Sequence, residues 1–191
     1  MKNWNLFQKL GVFLILISLS ILVGDKCLAV YHGKVTTKLL QQMEAVLPDA
    51  QAGVPGEYSE TDLPVLQLGG KDFSGRIQFP DYGCTLPMGH QWDDRALGKY
   101  PCRFWGSLYD GTLVVGGKDQ TGQFDFFDRM EIGEKVIITD MTGVQFRFAV
   151  SRIDRSKNPD TDVLIQDAWD LTFFARDTQS LEYILVRCNY L

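Results

Sequence analysis

The sequence contains no internal repeat, no low-complexity tract and no stripe of basic residues. Lack of a repeat argues against solenoids and propellers, and lack of a basic stripe leaves nothing to neutralise phosphates, which argues against a nucleic-acid partner. The net charge of -5 is accounted for by an acidic solvated surface. No loop that cradles a cofactor and no metal-ligand spacing is present, so neither a cofactor nor a metal is expected. A chain of 191 residues is long enough for one globular domain with a sizeable core, plus an appendage.

Processing signals are scarce as well. Residues 10–24, LGVFLILISLSILVG, form an uncharged apolar run between Lys9 and Asp25, preceded by Lys2 and Lys9. The run is shorter than the ~20 residues of a spanning helix, but Phe7 extends it at one end and Cys27 to Tyr31 at the other if Asp25 and Lys26 snorkel. Its length also fits a cleavable signal peptide. In DKCLAVYHG, however, only Cys27 and Ala29 approach A-x-A spacing, and Gly24, Asp25 and Lys26 before Cys27 are no lipobox, so a retained anchor is favoured. The lysines place the N-terminus in the cytoplasm and everything beyond residue 31 outside.

Cysteines number four, at 27, 84, 102 and 188. Outside the membrane a disulfide persists, and Cys84 with Cys102 is the one pairing considered, worth about 3 kcal/mol in the chain-entropy model. Separate buried thiols are the other reading. Cys188, in the apolar run YILVRC, reads as strand core.

Apolar residues Val35, Leu39, Met43 and Val46 recur at helical spacing and Pro48 ends the pattern, which predicts an amphipathic helix. Residues 48–70, rich in proline and glycine, read as an irregular connection. Eight short β-like runs follow, at 73–79, 84–88, 104–109, 111–116, 135–140, 145–153, 171–174 and 183–188, and predict a sandwich or barrel. In QFRFAVSRI, Phe146, Phe148 and Val150 alternate with Gln145, Arg147 and Ala149, so one face is buried. A helical turn is expected within 154–170.

Several segments, in order over roughly residues 73–191, resemble the sortase family, in particular the class B-like members of Gram-positive bacteria. RIQFPDYGCTLPM resembles the family's first two strands. YPCRFWGS resembles the segment before the strand that delivers the catalytic His. GTLVVGGKDQTGQFDFFDRMEIGEKVIITDMTGVQFRFAV follows the pattern of strand, Gly-His, loop to a Phe, apolar turn, Gly-Asp/Glu and two strands. WDLTFFARDTQSLEYILVRC resembles the nucleophile strand, Leu-Thr-Leu-Phe-Thr-Cys in the family, and the last strand.

The resemblance implies a mainly β, closed eight-stranded barrel with short helices. With the apolar run and the helical stripe read above, the chain divides into a cytoplasmic N-terminus and transmembrane signal-anchor (1–31), an amphipathic helix with its irregular connection (32–70), and a sortase-like barrel (71–191). It puts Lys118 where the family has His, Arg176 where it has the nucleophilic Cys, and Ala175 where a Thr precedes it. The catalytic Arg position falls on Tyr183, or on Glu182 with a one-residue slip. His90, in Gly89-His90, also reads Gly-His but follows the wrong strand; a loop histidine is the simpler account, and His32 has no evident role.

A sortase attacks a sorting peptide with a thiolate, protonates the leaving amine from a His and holds the oxyanion with a cation. Arg176 cannot be a nucleophile, because its guanidinium stays protonated. Losing such a nucleophile costs on the order of 10^6 in turnover, so a non-catalytic sortase-like protein is expected. It would bind a sorting peptide, a cell-wall precursor or another envelope protein at the former groove. The alternative is a transpeptidase or hydrolase with a relocated nucleophile, Cys84 or Cys102 with His90. Lys118 and Arg176 together suit a carboxylate or phosphate, unless Asp119 and Asp177 neutralise them.

Overall fold

The computed structural model describes the backbone of residues 6–165 and 168–191, and the side chains of residues 10–18 and 34–191 apart from 166 and 167. A single helix, α1, runs from Leu6–Glu44. The anchor and the amphipathic helix expected as separate segments are therefore continuous. The sequence between them holds no proline, and an interior glycine costs a helix only about 1 kcal/mol. Cys27 and His32 lie outside the described side chains. Part of the expected anchor does too, and no helix among the described residues is long and apolar enough to cross a membrane.

The C-terminal turns of α1 pack on the barrel. Met43 is fully buried against Phe73, Tyr100 and Cys102, with Leu39, Leu40 and Leu47 at its margin. Val46, expected in that stripe, is exposed, because α1 has ended at Glu44 and the chain has turned. Two short strands interrupt the connection read as irregular: β1 (Gln51–Ala52) and β2 (Leu66–Leu68).

Eight further strands follow: β3 (Lys71–Phe79), β4 (Cys84–Gly89), β5 (Cys102–Trp105), β6 (Leu113–Lys118), β7 (Lys135–Asp140), β8 (Val144–Ser156), β9 (Leu171–Arg176) and β10 (Tyr183–Tyr190). Each overlaps a run read from the sequence. Going round the barrel the order is β3, β4, β5, β6, β9, β10, β8, β7 and back to β3, so the sheet closes and the sandwich reading is set aside. Among the eight barrel strands pairing is antiparallel except for β4 with β5 and β6 with β9. β1 adds to β8 and β2 to β3 as edge pieces.

The strand expected at 104–109 instead spans Cys102–Trp105. Gly106, at φ +67°, takes the chain out of the sheet, and the backbone of Thr112 lies so close that any Cβ at 106 would collide with it. A short helix, α2 (Thr161–Leu164), supplies the turn expected between β8 and β9. It covers the outer face of the sheet beside Val114, Phe174 and Leu185. Arg187, almost fully buried on that face, ties the connection down through Nε to Asp154 Oδ2 at 3.0 Å and Nη2 to the Val163 carbonyl at 2.8 Å.

Alternation fills the interior. Phe146, Phe148 and Val150 of β8 point inward, as do Leu171, Phe173 and Ala175 of β9 and Ile184, Val186 and Cys188 of β10. Phe79 stands at the centre, 5.4 Å from Phe173 and 5.0 Å from Phe126 between ring centroids. Phe124 and Phe127 stack at 4.1 Å alongside. Such rings bury large areas and interlock with little free volume. Replacing Phe79 with Ala should therefore cost about 3–5 kcal/mol of unfolding free energy, read from chemical denaturation of the full chain; a loss under about 1 kcal/mol would show that the rings do not interlock as described.

Candidate functional site

The three positions singled out from the sequence lie on neighbouring strands in one row. Lys118, the last residue of β6, pairs with Arg176, the last of β9, and Arg176 pairs with Tyr183, the first of β10. Paired residues project from the same side of a sheet. Leu113, Val115, Phe173, Ala175 and Ile184 line the interior, whereas Val114, Phe174 and Leu185 face outward, so alternation puts Lys118, Arg176 and Tyr183 on the outer face.

Ala175, matched to the Thr before the family's nucleophile, is fully buried in the barrel interior, one residue out of phase with that row. Glu182 lies in the turn before β10, where its carbonyl accepts the Asp177 N–H at 2.7 Å. The residue that the sequence placed at one slip from the Arg position thus serves the turn with its backbone.

The two acids flanking the cations do not neutralise them. Asp177, largely buried, accepts Gln179 N–H at 2.7 Å and Ser180 N–H at 3.2 Å on Oδ1, and Ser180 Oγ at 2.8 Å and Arg155 Nη1 at 3.0 Å on Oδ2. Asp119 Oδ2 accepts the amide of Thr178 at 2.9 Å and its hydroxyl at 3.1 Å. Both carboxylates are spent on holding the β9–β10 turn against the end of β6. Neither Lys118 nor Arg176 makes an ion pair among the described residues, and both are exposed; Arg176 Nε donates only to the Leu181 carbonyl, at 3.3 Å.

The relocated-nucleophile arrangement has no such convergence. Cys84, Cys102 and Cys188 are free thiols, so the considered Cys84–Cys102 bridge is not formed. Cys84 opens β4 opposite Phe79, whereas His90 follows Gly89 at the other end of that strand, about 20 Å away at strand rise. Cys102 pairs with Gly89 and is buried under α1 with Tyr100 and Phe73. Burial pushes the thiols of Cys84 and Cys102 up to about 11, and Asp125 adds to the effect at Cys84. His90 is held by Ser74 Oγ, 2.5 Å from Nδ1, and is kept neutral by burial and by nearby Arg103.

Two features escaped the sequence reading. The first is an aromatic cluster on the outer face, in which Trp92 stacks on Phe174 at 5.7 Å, Phe104 stands edge-on to both, and Tyr183 flanks Phe174. The second is the glycine pair of β6. A Cβ on Gly117 would lie 2.3 Å from the Phe124 ring inside the barrel, and one on Gly116 would lie 2.4 Å from the Trp92 ring outside it. Trp92 sits in a polar loop, GHQWDD, and only its tertiary position shows that it covers the sheet.

Two measurements check this electrostatic picture. At pH 7.5, iodoacetamide should alkylate Cys84 and Cys102 in the folded protein about 10^2-fold more slowly than an ordinary exposed thiol, as read by peptide mapping. Rapid labelling of either would reinstate a nucleophile. Asp177 is held down to about 2 by the Gln179 amide first and then by Ser180 and Arg155. Its folded value lies below the ordinary ~3.9, so its support of the turn is complete above that value and is lost as the pH falls through about 2. The amide resonances of Gln179 and Ser180 should titrate near pH 2; a midpoint near 4 would contradict the assigned bonds.

No family model matches the sequence, and no curated protein sequence matches it. Among solved structures the chain is similar to sortase A from Corynebacterium diphtheriae at 19% identity, a TM-score of 0.56, and coverage of 63% of this chain and 61% of that one. It is similar to sortase C from Clostridium perfringens SM101 at 19% identity, a TM-score of 0.52, and coverage of 63% and 70%. It is also similar to the Clostridium perfringens sortase D5 transpeptidase at 17% identity, a TM-score of 0.53, and coverage of 63% and 79%. The chain thus spans about three-fifths of the length of the first of these. At such identities the likeness is one of architecture, and the closed eight-stranded barrel of this protein has the sortase fold.

Proposed function

We propose that this protein is a sortase-family member, resembling the class B-like members in its sequence patterns, that has lost the thioester chemistry and uses the outer row as an anion-recognition site. The adjacency of Lys118, Arg176 and Tyr183 on β6, β9 and β10 carries this reading. A guanidinium fork beside an ammonium, neither engaged by a carboxylate among the described residues, suits a carboxylate or phosphate borne by a peptide, a cell-wall precursor or a partner protein. The phenol of Tyr183 adds a neutral donor.

The same positions explain why transpeptidation is not expected. An attacking group must present a lone pair, and neither Lys118, as an ammonium, nor Arg176 offers one at neutral pH. Burial holds the thiols of Cys84 and Cys102 in the protonated form at neutral pH, and Nδ1 of His90 is taken up by Ser74. The relocated-nucleophile alternative therefore has no observation in its favour.

The N-terminal part of α1 supports anchoring. Phe13, Leu14, Ile15 and Leu16 are all exposed, and because they are consecutive they face every direction around the helix rather than one stripe. Lys2 and Lys9 stand on their N-terminal side, so the barrel is proposed to lie on the outer face of the cell membrane behind a single-pass anchor.

Incubating the purified chain with a sorting peptide and a thiol trap, followed by mass spectrometry, should yield no acyl adduct on any cysteine. Binding of an acidic peptide should weaken about tenfold on replacing Lys118 and Arg176 together with Ala, and should fall as salt is raised. A covalent adduct, or acidic-peptide binding indifferent to both substitutions, would sink the proposal.

A further inference from the structure

A second concavity lies at the opposite end of β6 from the cationic row. Its volume is about 810 Å³, and it runs along the outer face of β5 between the segment 61–65 and the loop after β4. Thr112, just before β6, lines it, whereas Lys118 ends that strand, a separation of roughly 20 Å at strand rise. The volume is that of a pocket for a small organic ligand.

Its walls combine two kinds of surface. The first is aromatic, because Trp105 is 54% exposed and Trp92 38%, and both line the cavity. A register shift between Arg103 and Trp105 in the β5–β6 pairing is a bulge, the device that re-aims side chains, and it brings Arg103, Phe104 and Trp105 consecutively to the cavity. Trp105 makes no ring contact and its indole N–H no hydrogen bond among the described residues. A large apolar face left uncovered in a concavity calls for an occupant.

The second surface is polar and unspent. Arg103, Asp62 and Gln91 line the cavity, and among the described residues none of their side chains has a hydrogen bond or ion pair within the chain. His90 Nδ1 is occupied by Ser74, so the nitrogen left for a ligand is Nε2. Arg103, Asp62 and Asp110 give the groove charges of both signs, unlike the wholly cationic pair of the outer row.

We propose that this groove is a carbohydrate-binding site for a neutral oligosaccharide, one sugar ring lying on the indole of Trp105 and its hydroxyls meeting Arg103, Asp62 and Gln91. A pyranose presents C–H groups on its faces and hydroxyls round its edge. It therefore needs a flat apolar platform with adjacent groups that both donate and accept. Arg103 and the Gln91 amide donate, and Asp62 and the Gln91 carbonyl accept. No bond is made or broken, and the site stands independently of the anion row.

The test uses the full chain in a detergent without sugar headgroups, titrated with cellotetraose and with chitotetraose and followed by saturation-transfer NMR. At least one of the two should bind. Trp105→Ala should weaken binding at least tenfold, Arg103→Met should also weaken it, and Trp105→Phe should retain most of it. The exposed Ile132→Ala, outside both sites, should change nothing. Trp105 packs on no other ring, so its variants keep the fold, which unchanged melting verifies. Failure of the folded chain to bind either sugar, binding indifferent to Trp105→Ala, or Trp105-dependent binding of a sorting peptide in place of both sugars would each overturn the assignment. None of these outcomes bears on acidic-peptide binding at Lys118 and Arg176, so the two readings fail separately.

Discussion

Close approach of aromatic rings to β6 from both sides is the constraint on which the architecture turns. Gly117 leaves room for Phe124 inside the barrel and Gly116 leaves room for Trp92 outside it, at distances no other residue would permit. Phe124 in turn stacks on Phe127 and meets Phe79 and Phe173, so the interior is wedged against the bare backbone of this strand. Outside, Trp92 carries the stack onto Phe174 of β9. The parallel pairing of β6 with β9 is thereby clamped on both faces, and this pairing closes the barrel between strands distant in sequence.

Position follows from that clamp. With Gly116 opposite Phe174 and Gly117 opposite Ala175, the next pair along is Lys118 with Arg176, and the strands end there. Beyond the ends, Asp119 and Asp177 hold the β9–β10 turn through the Thr178, Gln179 and Ser180 amides. Asp177 is also paired with Arg155 and Asp119 is spent on Thr178, so among the described residues the contacts that order the turn leave Lys118 and Arg176 without an ion pair at the surface. At the other end of β6, the bulge in β5 and the tight passage at Gly106 turn Arg103 and Trp105 to the second concavity. One strand thus carries a charged site at one end and an aromatic one at the other.

Much of the barrel was legible in the sequence because its strands alternate and are punctuated. Phe146, Phe148 and Val150 announce an inward face by spacing alone, and all three are fully or almost fully buried. Closure was not legible from alternation, since sandwiches alternate too; the ordered resemblance to sortases supplied it. Local signals also failed to see that Val46 lies past the helix end, and that residues 51–52 and 66–68 find partners in β8 and β3 across long stretches of chain. The acids beside Lys118 and Arg176 look like counter-ions in one dimension. Only the fold of the turn shows where their oxygens point. Trp92 was unreadable for a related reason: a tryptophan in a polar loop acquires its role from the bare glycine it covers.

The surroundings of residue 176 decide whether the cationic row exists, and the most direct probe is the acidity of a thiol placed there. In the Arg176→Cys variant the introduced sulfur should lie on the outer face next to the Lys118 ammonium. A cation at that range lowers a thiol below its ordinary ~8.5. The pH dependence of its alkylation should therefore show a depressed pKa that rises when Lys118 is also replaced with Met. An introduced thiol that is unreactive, or that titrates at or above the ordinary value whether or not Lys118 is present, would contradict the placement of the row and the reading built on it.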